Sequence, residues 1–328
     1  MDYAHNETEK LLKKTERRVS DEYRQAEREV ARKLSDYLKS FARKDAMWAQ
    51  WVKDGKKTAQ EYKDWRVGQI AMGQRWEAMR ETLAEDFHHA NQIAGSIVNG
   101  HVPEVYALNH NYATYEVESG LGVDTSYTLY DRQTVERLMR DDPQMLPPPG
   151  KKVSARIRAG EDIRWNNQQI QSVMIQSLLQ GESMGKIATR LATAVGDSNR
   201  AAAIRNARTM TTGAQSAGRV DGYQRAQDMG IKTRQQWVAI LDGRTRHEHR
   251  LLDGEIVDVG EPFEVEGEKI RFPGDPTAPG HLVYNCRCTL IAALEGFERD
   301  LSDLSIRKAD KLEGMSYEEW KRFHERSD

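Results

Sequence analysis

Near Gly230 the chain changes its hydrophobic period, and that change most restricts what it can fold into. Upstream, apolar residues recur at three- and four-residue steps over long stretches, the period of a helix. Downstream, Trp237, Ala239 and Leu241 alternate with Val238 and Ile240, and Asp242-Gly243 supplies a tight turn. Phe263–Val265 and Lys269–Phe272 flank Gly267 as a hairpin, and a loop carrying Pro273, Pro276, Pro279 and Gly280 leads to a final strand expected over 281–291. The expected fold class is α+β: mostly α-helical, with long N-terminal helices and a small β-hairpin-rich C-terminal subdomain.

A chain of 328 residues has room for two or more domains. Its formal charge of −2 does not mark it as a general nucleic-acid binder. Charged residues make up 30% and hydrophobic ones 38%, a balance that suits long solvent-exposed helices. No apolar run is long enough to cross a bilayer, so no membrane partner is expected. The start, Met1-Asp-Tyr-Ala-His-Asn-Glu7, lacks a basic-then-apolar signal pattern, which points to synthesis in a reducing cytoplasm. There, two cysteines do not make a disulfide framework.

Residues 1–100 read as a helical arm. Val19, Tyr23, Ala26, Val30, Leu34, Leu38 and Phe41 draw one apolar stripe on an otherwise charged helix. Such a stripe suits either a docking or coiled-coil helix or a hairpin packed within the chain. A second stripe holds Trp76, Met79, Leu83, Phe87, Ala90, Ile93 and Ile97, with Trp48, Trp51, Tyr62 and Trp65 spaced between for helix packing; Gly100 closes the arm. Residues 101–160 read as a mixed connector with short strands such as 126–130, and Pro147–Gly150 is the boundary candidate. Three helices are expected over 162–229, broken at Gly181 and between 194 and 198, then a β-rich part over 232–291 and a charged helical tail over 294–328.

Chemistry-bearing residues concentrate in the β-rich part. Thr245-Arg-His-Glu248 matches the capping-box pattern and predicts a helix from Arg246 to about Leu252, ended by Asp253-Gly254. On that helix His247 and His249 lie about 200° apart, cannot share a face, and make a poor chelate. Cys286 and Cys288, in the expected last strand, point the same way, while Arg287 points oppositely. A disulfide between them would be strained. The thiols are then either small buried hydrophobes or two zinc ligands, completed by His249 with His281 or His247. A nucleophilic cysteine with His249 as base is the catalytic alternative. Arg244, Arg246 and Arg250 suit either a phosphate or surface pairing with Asp242, Glu248 and Asp253. Asp275 reads as loop geometry.

The run Trp237…Asp242-Gly-Arg244-Thr245-Arg246, His249, Leu252-Asp253-Gly254, and then Asn285-Cys-Arg-Cys288, resembles the C-terminal signature of the phage Mu F-like minor head (head morphogenesis) proteins. The likeness extends over about 160–293 and includes Ala203–Met210. It implies a non-enzymatic structural protein of a tailed-phage virion, in the head interior or at the portal vertex, present in the host cytoplasm during assembly. The implied partners are the portal protein, a scaffold or the major capsid protein. Some members place cysteines where this chain has Arg246 and His249, which would suit zinc with the two terminal cysteines; Arg246 departs from that pattern. The alternatives are a zinc- or cysteine-dependent hydrolase, and an internal virion protein contacting DNA through the Arg-rich stretch 199–225.

Overall fold

A computed structural model describes residues 1–141, 155–294 and 307–326. The boundary candidate at Pro147–Gly150 lies outside the described residues. The fold is α+β and mostly helical. Among the described residues no helix is long and apolar enough to cross a membrane.

The chain opens with α1 (Tyr3–Lys39), α2 (Ala42–Lys53), α3 (Ala59–Ile70) and α4 (Gln74–Leu121). The α1 stripe is buried at Val19, Tyr23, Val30, Leu34 and Leu38. Its cover comes from the same chain: Tyr23 Oη donates to Asn91 Oδ1 at 2.5 Å, Lys33 Nζ meets Asp86 Oδ1 at 2.7 Å, and the Tyr37 and Trp76 rings lie 5.8 Å apart. The hairpin reading of the stripe therefore holds.

Helix α4 does not stop at Gly100 but runs through it and through Pro103. Proline there removes one backbone hydrogen bond. Against that, Val98, Val102, Val105, Tyr106, Ala113 and Val117 continue a buried face without interruption. After β1 (Val123–Asp124) the expected strand at 126–130 is absent. Its backbone is held by one side chain instead: Tyr130 N donates to Asn111 Oδ1 and Asn111 Nδ2 donates to Tyr130 O, both at 2.9 Å. A segment so held has no ladder to join.

Next come α5 (Arg132–Asp141), α6 (Glu161–Leu179) and α7 (Met184–Asp228). The break expected between 194 and 198 does not occur. Val195 and Asn199 are both buried, and Asn199 Nδ2 bonds Asn166 Oδ1 at 2.8 Å, so one face stays in register across Gly196. The β-rich part holds β2 (Thr233–Val238), α8 (His247–Leu252), β3 (Ile256–Asp258), β4 (Phe263–Val265), β5 (Glu268–Ile270), α9 (Gly280–Val283) and β6 (Thr289–Leu294). An antiparallel sheet of order β3-β2-β6 pairs Gln235 with Val257 and Trp237 with Leu290, and β4 pairs β5 as the expected hairpin. The final strand begins only at Thr289. Residues 281–283 belong to α9, and Asn285 takes a left-handed φ of 56° that an extended strand excludes.

The tail contributes β7 (Arg307–Lys308), antiparallel to β1, and α10 (Tyr317–Glu325). It is charged, but Trp320 is fully buried among Tyr115, Tyr127 and Tyr317.

The chain divides into two compact units: Met1–Thr15, Val98–Lys151 and Arg205–Asp328 form the first, and Glu16–Ile97 with Lys152–Ile204 the second. In the first, Trp237, Phe263, Tyr223, Leu252, Leu290 and both cysteines share one apolar cluster. Arg219 crosses it fully buried, with Asp2 at 2.7 and 2.9 Å, Asn109 Oδ1 at 3.1 Å, the Leu290 carbonyl, and the Tyr112 ring at 5.2 Å. Each nitrogen of that guanidinium has an acceptor and its plane lies against the Tyr112 ring, which allows a charge to sit there.

Candidate metal centre

The segment between β2 and β3 is set by a knot around Asp242. Its carboxylate accepts from both terminal nitrogens of Arg287 at 2.7 Å and from the Arg244 backbone at 2.8 Å. These bonds, the Arg287 pair first, hold the Asp242 carboxyl well below the usual carboxylate range. Thr245 does not cap the following helix. Its hydroxyl donates to the Ile240 carbonyl and accepts from Asp242 N at 3.2 Å, so α8 starts at His247 with Arg246 as an extended N-cap that makes no side-chain cap bond. The expected Thr245–Glu248 capping box is thereby replaced by a turn. Downstream, Asp253 Oδ1 accepts from Ala239 N at 2.8 Å and Gly254, at φ 85°, donates to Trp237 O at 2.8 Å. This clips the end of α8 to β2. Arg246 is held by the Tyr284 carbonyl and Arg250 by the carbonyls of Asp242 and Thr245, so neither arginine is arranged as a phosphate clamp.

That scaffold places His249 on the inner face of α8, against Trp237 (ring centroids 5.5 Å, edge to face). Cys286 and Cys288 reach the same point from the turn before β6. His249 Nδ1 lies 3.3 Å from Cys288 Sγ and 3.5 Å from Cys286 Sγ, while His249 Nε2 lies 2.8 Å from the Leu282 carbonyl. All three side chains are buried. Helix α7 braces the turn, with Thr212 Oγ1 donating to Cys286 O at 2.7 Å and Asn285 N donating to Thr209 Oγ1 at 3.3 Å. The Cys288 thiol is drawn below its ordinary range by the hydrogen bond with Cys286, and then by His249 and the Trp237 indole, against the opposing effect of burial. Burial pushes Cys286 up.

The other histidines expected as ligands stand elsewhere. His281 sits on α9 with its side chain 58% exposed and its Nε2 2.8 Å from Glu268, and His247 is 70% exposed beside Glu266. His247 is excluded by the turn of α8, and His281 because 281–283 coil into a helix instead of extending toward the cysteines. Among the described residues no further His, Cys or carboxylate joins the trio. Asp275 is a turn anchor, accepting from Arg271 and Thr277. Sequence reasoning missed Thr209, Thr212 and the Asp242–Arg287 pair. Only the opposite orientation of Arg287 between the cysteines hinted at the pair.

A buried thiol pair facing one imidazole nitrogen suits a soft divalent cation better than a nucleophile, which needs access to a substrate. A carbonyl, not a carboxylate, orients His249.

Residues 168–291, which contain the trio and the whole Asp242 knot, match the family model described as Phage Mu protein F like protein. The chain is 27% identical over 311 residues to minor head protein GP7 of Bacillus phage SPP1, covering 91% of this chain and 92% of that protein. It is 30% identical over 206 residues to the NAD(+)--arginine ADP-ribosyltransferase EFV of Enterococcus faecalis, covering 63% of this chain but only 40% of that relative's length. An uncharacterized protein of Haemophilus influenzae is 25% identical over 226 residues, 69% of this chain and 45% of that one. No solved structure matches.

Proposed function

We propose that this chain, which over residues 168–291 belongs to the phage Mu protein F-like family, works without catalysis as a minor component of a tailed-phage head. In this reading it sits at the portal vertex or on the inner head surface. It contacts the portal, scaffold or major capsid protein during assembly or genome delivery, having been made in the host cytoplasm. The observation that carries the reading is the similarity to minor head protein GP7, which spans nearly the full length of both chains. That similarity therefore takes in the helical part before residue 168 as well as the β-rich part. The relative named as an ADP-ribosyltransferase favours a second reading, NAD-dependent transfer to arginine, but this chain spans 40% of it.

Deletion of the coding segment, with mass spectrometry of purified particles, tests the first reading. The expected result is the protein in purified heads at low copy number, and fewer infectious particles from the deletion. Heads of normal yield and infectivity, together with absence of the protein from wild-type particles, would overturn it. Transfer of label from NAD to an arginine acceptor by the purified chain would instead support the second.

A further inference from the structure

We propose that His249, Cys286 and Cys288 are three protein ligands of a zinc-type cation, and that this ion staples the β-rich part together. The first argument is distance. A tetrahedral zinc about 2.3 Å from each sulfur and about 2.0 Å from nitrogen sets sulfur and nitrogen about 3.5 Å apart. The observed Nδ1-to-sulfur separations are 3.3 and 3.5 Å, and the three ligand atoms lie within 4.8 Å of one another.

The second argument is the direction of the imidazole. Leu282 O can only accept, so the 2.8 Å contact places the ring proton on Nε2 and leaves the Nδ1 lone pair facing both sulfurs. A backbone carbonyl holding the far nitrogen is the usual support for a metal-binding histidine. The third argument is the donor beside the sulfurs. Cys288 N donates to Cys286 Sγ at 3.4 Å. A backbone N–H so placed is a partner that a metal-bound sulfur can accept from. The ligand chemistry then selects the ion, since two sulfurs and one imidazole without a carboxylate suit zinc and exclude magnesium or calcium.

The ion would tie α8 to the turn preceding β6, and through the Thr212–Cys286 bond to α7. These elements are brought together from positions 212, 249 and 286–288, and the strands between them are only three to six residues long. Small folds of this kind gain stability from a structural metal.

The test uses the full chain, first by elemental analysis and then by cobalt loading after chelation. One zinc per chain as purified, and a sulfur-to-cobalt charge-transfer band with tetrahedral d–d absorption, are the expected results. His249→Ala and Cys288→Ser should abolish the band and bring the stoichiometry from one ion to none. His281→Ala should retain both, since His281 pairs with Glu268 on the surface. Should the ligand variants fail to fold, the cobalt titration of the unaltered chain decides alone. A natively folded chain that takes up no cobalt into thiolate coordination would overturn the proposal and leave a thiol–imidazole hydrogen-bond cluster. Metal lost equally with His281→Ala would also overturn it.

Discussion

Two neighbouring carboxylates on α4 show how a residue's surroundings decide its chemistry. Glu118 is fully buried and saturated: Thr125 N and Oγ1 reach one oxygen at 2.8 and 2.6 Å, and Trp320 Nε1 and His324 Nε2 reach the other at 2.7 and 2.8 Å. Those bonds outweigh desolvation and lower its pKa. Glu116 has Tyr223 Oη at 2.6 Å, and desolvation prevails over Arg219 and that hydroxyl to push it up to about 7. An acid whose folded pKa is raised keeps a proton that the unfolded chain has lost, so its contribution falls as pH rises from about 4.5 to 7 and is flat above. At 1.36 kcal/mol per pKa unit the loss across that window is about 3 kcal/mol. Urea titrations between pH 4.5 and 8 check this: Glu116→Gln should be flatter than the parent across the window, and parallel slopes would refute the assignment. None of this was visible in the sequence, where Glu116 and Glu118 are two acids among many. The cysteine pair and His249 were visible, because few residue types bind soft metals and this chain concentrates them in one short window. The choice among His247, His249 and His281 needed the path of the chain between them.

Among the elements, apolar period proved a better guide than single punctuating residues. Gly100, Pro103 and Gly196 all sit inside continuous helices because the buried faces persist across them. Local capping signals were equally dependent on context. Thr58–Glu61 and Ser316–Glu319 form complete capping boxes before α3 and α10. Thr245–Glu248, of the same pattern, does not, because the Asp242 turn recruits the threonine first. Close packing of α7 on α4 rests on glycines: a Cβ on Gly218 would lie 2.5 Å from the Tyr106 carbonyl oxygen, and one on Gly222 would lie 2.7 Å from Ala113 Cβ. Alanine in a helix gains about 1 kcal/mol over glycine, whereas overpacking against backbone costs about 1–3 kcal/mol. Gly218→Ala should therefore lower the denaturation midpoint, by about 2 kcal/mol or less in free energy. Gly185→Ala, with open space around its Cβ position, should not lower it.

For the whole molecule, the arginines of α7 bear on whether the chain grips DNA. Arg219 is buried on Asp2, Arg225 lies over the Tyr127 ring at 4.7 Å, and Arg200 is paired with Asp197. With a net charge of −2 this predicts weak, salt-sensitive DNA binding that vanishes near physiological ionic strength. A mobility-shift titration at low salt and at about 0.15 M checks it, since binding that persists at the higher salt would restore the DNA-contacting reading. The sequence alone determined the fold class, the change of period after Gly230, the hairpin at Gly267 and the window holding the thiols, because each follows from side-chain spacing along a few neighbouring residues. Only the tertiary structure decided that α4 and α7 are unbroken, that 126–130 is held by Asn111, and that His281 stands away from Cys286 and Cys288. Those outcomes depend on burial and hydrogen-bond partners supplied from residues distant in the chain, and local spacing carries no record of such partners.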